Sequence, residues 1–337
     1  MPSFIGSALR YITFLLLCWI ACESLLAKDN SEKTSVHVSF EISKIGEYVD
    51  SDDSLHRIYV AQETSGYLSK LGAGIGINTV IDVGSNAYLV IDPGPDGIYA
   101  KKLIETLSNT EKSIQGKRLV LVNSVARPEH VLANSSLSKR FTVISATKIT
   151  QANMKARCPK CRKRLAAQLE NKQILSNPLK IPNKIISNQS FIPEFPNWQV
   201  FEFAGRTESD LALWNSKTRT LYAGGLAYQN SILDLSDGDS TSWLSAVAQL
   251  LDLNPDIVIG VGYGKVKSGN QILWNTKNYL ENLRNSARQD FLTGGDAASA
   301  DKCCKLEQYN STPGYQSRHS LNIQHVWREI ELEEMSK

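Results

Sequence analysis

From position 35 onward the chain alternates short apolar runs with polar breaks, at spacings that favour strands early and helices between them. Ser35–Glu41 (SVHVSFE) alternates apolar and polar residues, and Ile58–Ala61 is a β-branched and aromatic run, so both predict strands. Asn78–Val83 and Ala87–Ile91 predict two more, joined at Gly84-Ser85. Asp92–Gly97 holds two prolines and two glycines and must be a loop. Leu103, Ile104 and Leu107 share one face of a helix over Tyr99–Leu107, with Asp96 near its N-terminus. Arg118–Asn123 (RLVLVN) predicts a buried strand, Ser124–His130 the loop after it, Val131–Leu137 a short helix and Phe141–Ala146 the next strand.

The second half repeats the alternation. Lys148–Leu175 predicts a helix that is strongly basic in its middle, and Ser176–Pro196, with four prolines, a long surface connection. Strands follow at Gln199–Phe203, Leu211–Asn215 and Arg219–Ala223. Next come a helix at Ser240–Leu253, a buried strand at Asp256–Val261 and a helix at Gln271–Leu283. The last stretch is polar, with an amphipathic close at Val326–Leu332. Strands and helices alternating in both halves imply an α/β protein with two sheets face to face and helices outside.

Composition changes this picture little. The 337 residues are 42% hydrophobic and 21% charged, enough for a sizeable core, and the net charge of +3 is too mild to argue for nucleic acid. The N-terminus changes it more. After Arg10, Tyr11–Ala21 is an apolar run of signal-peptide length, shorter than the roughly 20 residues a membrane span needs. We expect residues 1–27 to be a signal, cleaved after Ala27, and the mature protein to be periplasmic with no transmembrane segment; a lipid anchor at Cys22 is the less favoured alternative. Residues 28–34 then form a disordered linker, 35–290 one domain and 291–337 a polar C-terminal extension.

Five motifs, in order, resemble those of the metallo-β-lactamase superfamily. Val90-Ile91-Asp92-Pro93-Gly94 is similar to its apolar strand followed by Asp and Gly. Ser124–Asn134 (SVARPEHVLAN) resembles its His-x-His-x-Asp-His loop and the helix start after it. Gly205-Arg206-Thr207 resembles Gly-His-Thr, Leu221–Gly225 the strand ending in Gly-Asp, and Gly262-Tyr263-Gly264 the final Gly-His-Gly. A finer likeness, carried by Met154–Cys161, Thr207–Leu211 and Asn322–Glu331, is to the SoxH-like zinc metallohydrolases of quinoprotein relay systems. The resemblance implies a four-layer αββα sandwich.

It also implies a zinc site, and here the chain departs from the pattern. The first two histidines of the signature fall on Val125 and Arg127, the aspartate on Glu129, and only the last, His130, is retained. The next histidine is Arg206, the bridging aspartate is Gly225 and the final histidine is Tyr263. Catalytic zinc needs about three protein ligands and an open position, and the chain has five histidines in all. Glu129 and His130 are therefore weak metal candidates, and no cofactor is expected. Arg127 and Arg206 stand where a cation sat, near Glu129 and Asp210, and can neutralise those carboxylates. The pocket then either survives as a folded relic or binds an anionic small molecule through Arg127, Arg206 and Tyr263.

Cys158 and Cys161, spaced as CxxC, lie amid Lys155, Arg157, Lys160, Arg162 and Lys163, which should favour thiolate. For an exported chain a disulfide among Cys158, Cys161, Cys303 and Cys304 is the leading expectation, ahead of a four-thiolate zinc site or a redox dithiol. Three functions remain in order of preference. The first is a non-catalytic binding or accessory protein, placed beside a quinoprotein dehydrogenase by the finer resemblance. The second is a hydrolase with an altered site built on Glu129, His130 and Asp210. The third is thiol–disulfide chemistry at Cys158 and Cys161.

Overall fold

Burial on both faces dictates most of the strands. The computed structural model describes residues 37–72, 76–137 and 141–337, without the side chains of Phe141, Thr142 and Cys303. The expected signal, its cleavage site and the linker lie outside the described residues. The chain runs β1 (Phe40–Val49), β2 (Leu55–Glu63), β3 (Asn78–Val83), β4 (Ala87–Ile91), α1 (Gly97–Thr110), β5 (Arg118–Val122), α2 (Pro128–Val131), β6 (Phe141–Ala146) and α3 (Lys148–Gln168). It continues with β7 (Lys184–Ile185), β8 (Phe191–Ile192), β9 (Phe195–Phe203), β10 (Asp210–Asn215), β11 (Thr220–Gln229), α4 (Ser240–Asp252), β12 (Ile257–Gly262), α5 (Gln271–Leu292) and α6 (Tyr315–Met335).

Among the described residues these strands make a seven-stranded sheet, β1 to β7 in chain order, and a five-stranded sheet in the order β12-β11-β10-β9-β8. Between the sheets lies a core that includes Ile58, Val80, Leu89 and Val120 from the first and Trp198, Leu211, Tyr222 and Ile259 from the second. Helix α1 buries Tyr99, Leu103, Ile104 and Leu107, and its N-cap Asp96 accepts from the Ile98 and Tyr99 amides. A further core joins the second sheet to α4, α5 and α6 through Trp243, Leu280, Leu283 and Trp327. The architecture is the expected α/β sandwich of two sheets faced by helices. Among the described residues no helix is long and apolar enough to cross a membrane.

Because β4, β5 and β6 run parallel, the loops leaving their C-terminal ends gather at one edge. Two buried carboxylates tie the sheets together at opposite ends of the β3–β4 hairpin. Asp82 accepts from Trp198 Nε1 of the second sheet and from Tyr48 Oη, both at 2.7 Å, and pairs with His56 Nδ1 at 2.8 Å. Asp92, at the site end, does the equivalent with Tyr222 at 2.6 Å. Each oxygen is answered by a donor, which a fully buried carboxylate requires.

Several elements differ from the expectation. The first strand is Phe40–Val49, not Ser35–Glu41, because its partner β2 pairs along its whole length with a bulge between Lys44 and Gly46 that breaks the alternation. The Ser176–Pro196 connection holds β7 and β8, and β9 opens at Phe195. Helix α3 stops at Gln168, just before Glu170 takes a left-handed φ of 53°. Residues 291–337 are not a polar appendage. Helix α6 buries Ile323, Val326, Trp327 and Ile330 in the same core as α4 and α5, so the expected boundary at 290 cuts through packed structure. Within α6, Asn322 donates to Leu233 O (2.9 Å) and accepts from the Leu235 amide (3.2 Å), which pins the helix to the loop after β11.

If α6 is part of the main core, Trp327→Ala should cost about 3–5 kcal/mol. Urea unfolding should show it as a lower midpoint of a single transition; an unchanged midpoint, or a separate early transition, would contradict the shared core.

Candidate functional site

The site is built upward from Asp92. This residue follows β4 with φ 56°, a left-handed backbone that aspartate tolerates better than most side chains. Its Oδ1 accepts from the Ser124 amide at 2.8 Å, and its Oδ2 accepts from the Ser124 hydroxyl, from Tyr222 Oη and from His130 Nδ1 at 2.8 Å. The loop after β5 and the start of α2 are thereby fixed against both sheets. His130 Nδ1 faces the Asp92 carboxylate, which leaves Nε2 turned toward the β9–β10 loop. Facing it, at 3.5 Å, is Arg206 Nη1.

Arg206 comes from the β9–β10 loop and is only 3% exposed. Its Nη2 lies 3.3 Å from Glu129 Oε1, and its guanidinium sits 5.9 Å from the Tyr228 ring centre. Burial alone would push the Glu129 carboxyl up. The Arg206 charge, with His130 and then Arg127 behind it, more than offsets this and holds it below its ordinary value. Gly225, in β11, is what lets Arg206 in: a Cβ built there would meet Arg206 Cδ at 2.8 Å. An aspartate at 225 and this arginine at 206 cannot occupy the same space. The seat of Arg206 and the missing side chain at 225 are therefore one steric exchange.

The other predicted residues divide. Val125 is fully buried and offers no donor atom. Arg127, the N-cap of α2, turns to the loop after β11, with Nη1 3.2 Å from Asp237 and Nη2 3.6 Å from Asp234. Asp210 is buried with Oδ2 accepting from the Thr207 amide at 2.7 Å, while Oδ1 has no partner among the described residues. Burial pushes its carboxyl up to about 6, more than the Thr207 amide and Arg206 hold it down. Arg127, Glu129 and Arg206 line one pocket of ≈ 240 Å³, together with Cys161, Arg164 and Asp234. His130 and Asp210 lie buried behind it. Tyr263 does not line it: its backbone pairs with Gln229 and Asn230 after β12.

A zinc ion does not fit this donor set. Glu129 and His130 Nε2, the only retained groups, already face a buried guanidinium. Among the described residues no three His, Cys, Asp or Glu side chains cluster as a metal site. The partners of the arginines, Asp234 and Asp237, were missed because they sit about a hundred residues away in a loop that matches no motif; its acidic run, Asp234 to Asp239, was the available signal. The node at Asp92 was visible as a motif but not recognised as the residue that orients His130.

The cysteines also need correction. Cys158 and Cys161 are free thiols on a continuous helix. Cys158 lies on the buried face with Thr150, Met154 and Leu165, whereas Lys155, Arg157, Lys160 and Lys163 point to solvent. Burial therefore pushes the Cys158 thiol up to about 12, the opposite of the expected activation. Cys304 is buried in the α4–α5–α6 core, its Sγ 3.5 Å from Ser286 O. The Cys303 side chain lies outside the described residues.

Comparison with known proteins agrees with the architecture. No protein-family model matches the chain, and no curated protein matches it. Solved structures do. The DIM-1 metallo-β-lactamase is 18% identical, covering 73% of this chain and 99% of its own, with a TM-score of 0.51. A metallo-β-lactamase from Hirschia baltica is 15% identical, covering 72% and 98% (TM-score 0.51). One from Pontibacter korlensis is 16% identical, covering 72% and 100% (TM-score 0.51). At such identities the likeness shows the fold, and the fold is that of the metallo-β-lactamases.

The steric exchange is testable by a double-mutant cycle. Gly225→Ala should destabilise the protein by about 1–3 kcal/mol through overpacking against Arg206. In an Arg206→Ala background the same change should cost close to nothing by urea unfolding. Equal costs in both backgrounds would mean Gly225 does not make room for Arg206.

Proposed function

We propose that this protein is a non-catalytic relative of the metallo-β-lactamases, in which an arginine has taken the place of the metal and the pocket binds a small organic anion. The observation that carries this reading is the Arg206 guanidinium, 3.3 Å from Glu129 and facing His130 Nε2 from the notch at Gly225. Hydrolysis in this fold draws on a metal-bound water whose pKa the metal lowers. A guanidinium supplies positive charge but neither an open coordination position nor a bound hydroxide.

Support for an anion comes from the arginines' unused donors. Arg127 Nε and Nη2 and Arg206 Nε are buried without a hydrogen-bond partner among the described residues. Buried N–H groups are rarely left so, Arg127 Nη2 keeps only its 3.6 Å ion pair with Asp234, and a guanidinium fork can donate to a carboxylate. Three arginines line the pocket against two carboxylates, Glu129 and Asp234. The N-terminal apolar run supports a periplasmic location. A role beside a periplasmic quinoprotein dehydrogenase rests on the motif likeness of Met154–Cys161 and Asn322–Glu331 alone.

Thermal melting with malonate, citrate or inorganic phosphate, against chloride at matched ionic strength, tests the reading. A fitting anion at about 100 times its Kd should add about 2.7 kcal/mol, a rise of several degrees that Arg127→Gln abolishes. Should none of these anions raise the midpoint of the wild type above that of Arg127→Gln, the pocket is not an anion site.

A further inference from the structure

A second pocket is lined entirely by uncharged side chains, although the Arg206 guanidinium lies 5.9 Å from the ring of one of them, Tyr228. It has a volume of ≈ 330 Å³ and opens between the loop after β11, helix α5 and the segment leading into α6. That volume lies within the usual range for small-molecule sites, about 300–1,000 Å³. Asn275 and Asn278 line it from α5, Gln308 and Tyr309 from the C-terminal segment, and Ser231 and Tyr228 from the second sheet and its loop.

The chemistry of this lining is narrow. A charged ligand would shed water here and find no opposite charge among the lining residues, which is costly. A purely apolar ligand would strand the amides. Carboxamides both donate and accept, as hydroxyl groups do, and tyrosine adds an apolar ring with a polar edge. The Ser231 hydroxyl is the sharpest indication. Ser231 is 9% exposed, and its Oγ is buried with no hydrogen-bond partner among the described residues. By contrast, Thr276, also in the lining, is satisfied: it accepts from the Tyr228 amide at 3.1 Å and donates to Ile272 O at 2.8 Å. The Tyr309 ring is also held in place, edge-on to Tyr279 at 5.0 Å and with its hydroxyl accepting from Asn282 at 3.2 Å.

We propose that this pocket binds a neutral polyhydroxylated ring, a sugar unit, with the amides and Ser231 meeting its hydroxyls and the Tyr309 ring against its apolar face. Its lining shares no residue with the arginine pocket. It is built partly by residues 308–312, which exist as a wall only because α6 docks the C-terminal segment on the core.

The test uses the full mature chain and two matched probes, methyl β-D-glucopyranoside and methyl β-D-glucuronide, in saturation-transfer NMR titrations. The neutral glycoside should bind saturably at millimolar concentrations, and the charged one at least about five-fold more weakly, the size of one hydrogen bond. Ser231→Ala should weaken the neutral glycoside by a similar factor. Asn278→Trp, an exposed change on α5 that blocks the mouth without entering the core, should abolish binding at an unchanged melting temperature. Absence of saturable binding, equal binding of both probes, or full binding by a folded Asn278→Trp would each overturn the proposal.

Discussion

A buried guanidinium needs anions and acceptors around it, and that requirement organises the site end of this sandwich. Arg206 is nearly inaccessible to solvent, so its charge must be met within the protein. Glu129 meets it directly and Asp210 and Asp234 at longer range. In turn the Arg206 charge, with His130 and Arg127, outweighs the upward push of burial and holds the Glu129 carboxyl below its ordinary value. Removing one side of such a pair leaves a buried charge alone, so each side preserves the other. The arrangement exists only because β11 has no side chain at 225.

Beneath this pair lies a framework built on Asp92. Asp92 orients His130 through Nδ1 and joins the sheets through Tyr222. Such a carboxylate–histidine contact sets ring orientation in metal proteins. Here the same contact turns the imidazole toward an arginine. The loop after β5 is held by Asp92 whatever stands at positions 125 and 127, neither of which offers a carboxylate or an imidazole.

The legible parts of the sequence were those whose physics is local. Buried apolar runs such as Leu119–Val122 announced themselves, and the order of strands, glycine turns and helices led to the sandwich. Helix α6 was mostly hidden because its buried face includes His319 and Asn322, which a hydrophobic pattern reads as surface. Both are satisfied by partners far away in sequence: His319 Nε2 donates to Cys304 O at 2.9 Å, and Asn322 bonds the loop after β11. In the site, the pairing of Arg206 with Glu129 was readable from charge and motif position. The turn of Arg127 toward Asp234 and Asp237, the outlying position of Tyr263 and the inward face of Cys158 were not. Each depends on which way a side chain points once the chain has folded, and motif spacing carries no such information.

The central claim is that arginine, not a metal, supplies the positive charge at this site. Metal content of the protein, expressed with zinc supplied, can be measured by plasma mass spectrometry. With arginine in that role, well under one zinc or iron per chain is expected, unchanged in His130→Ala. One metal per chain in the wild type, lost in His130→Ala, would contradict it.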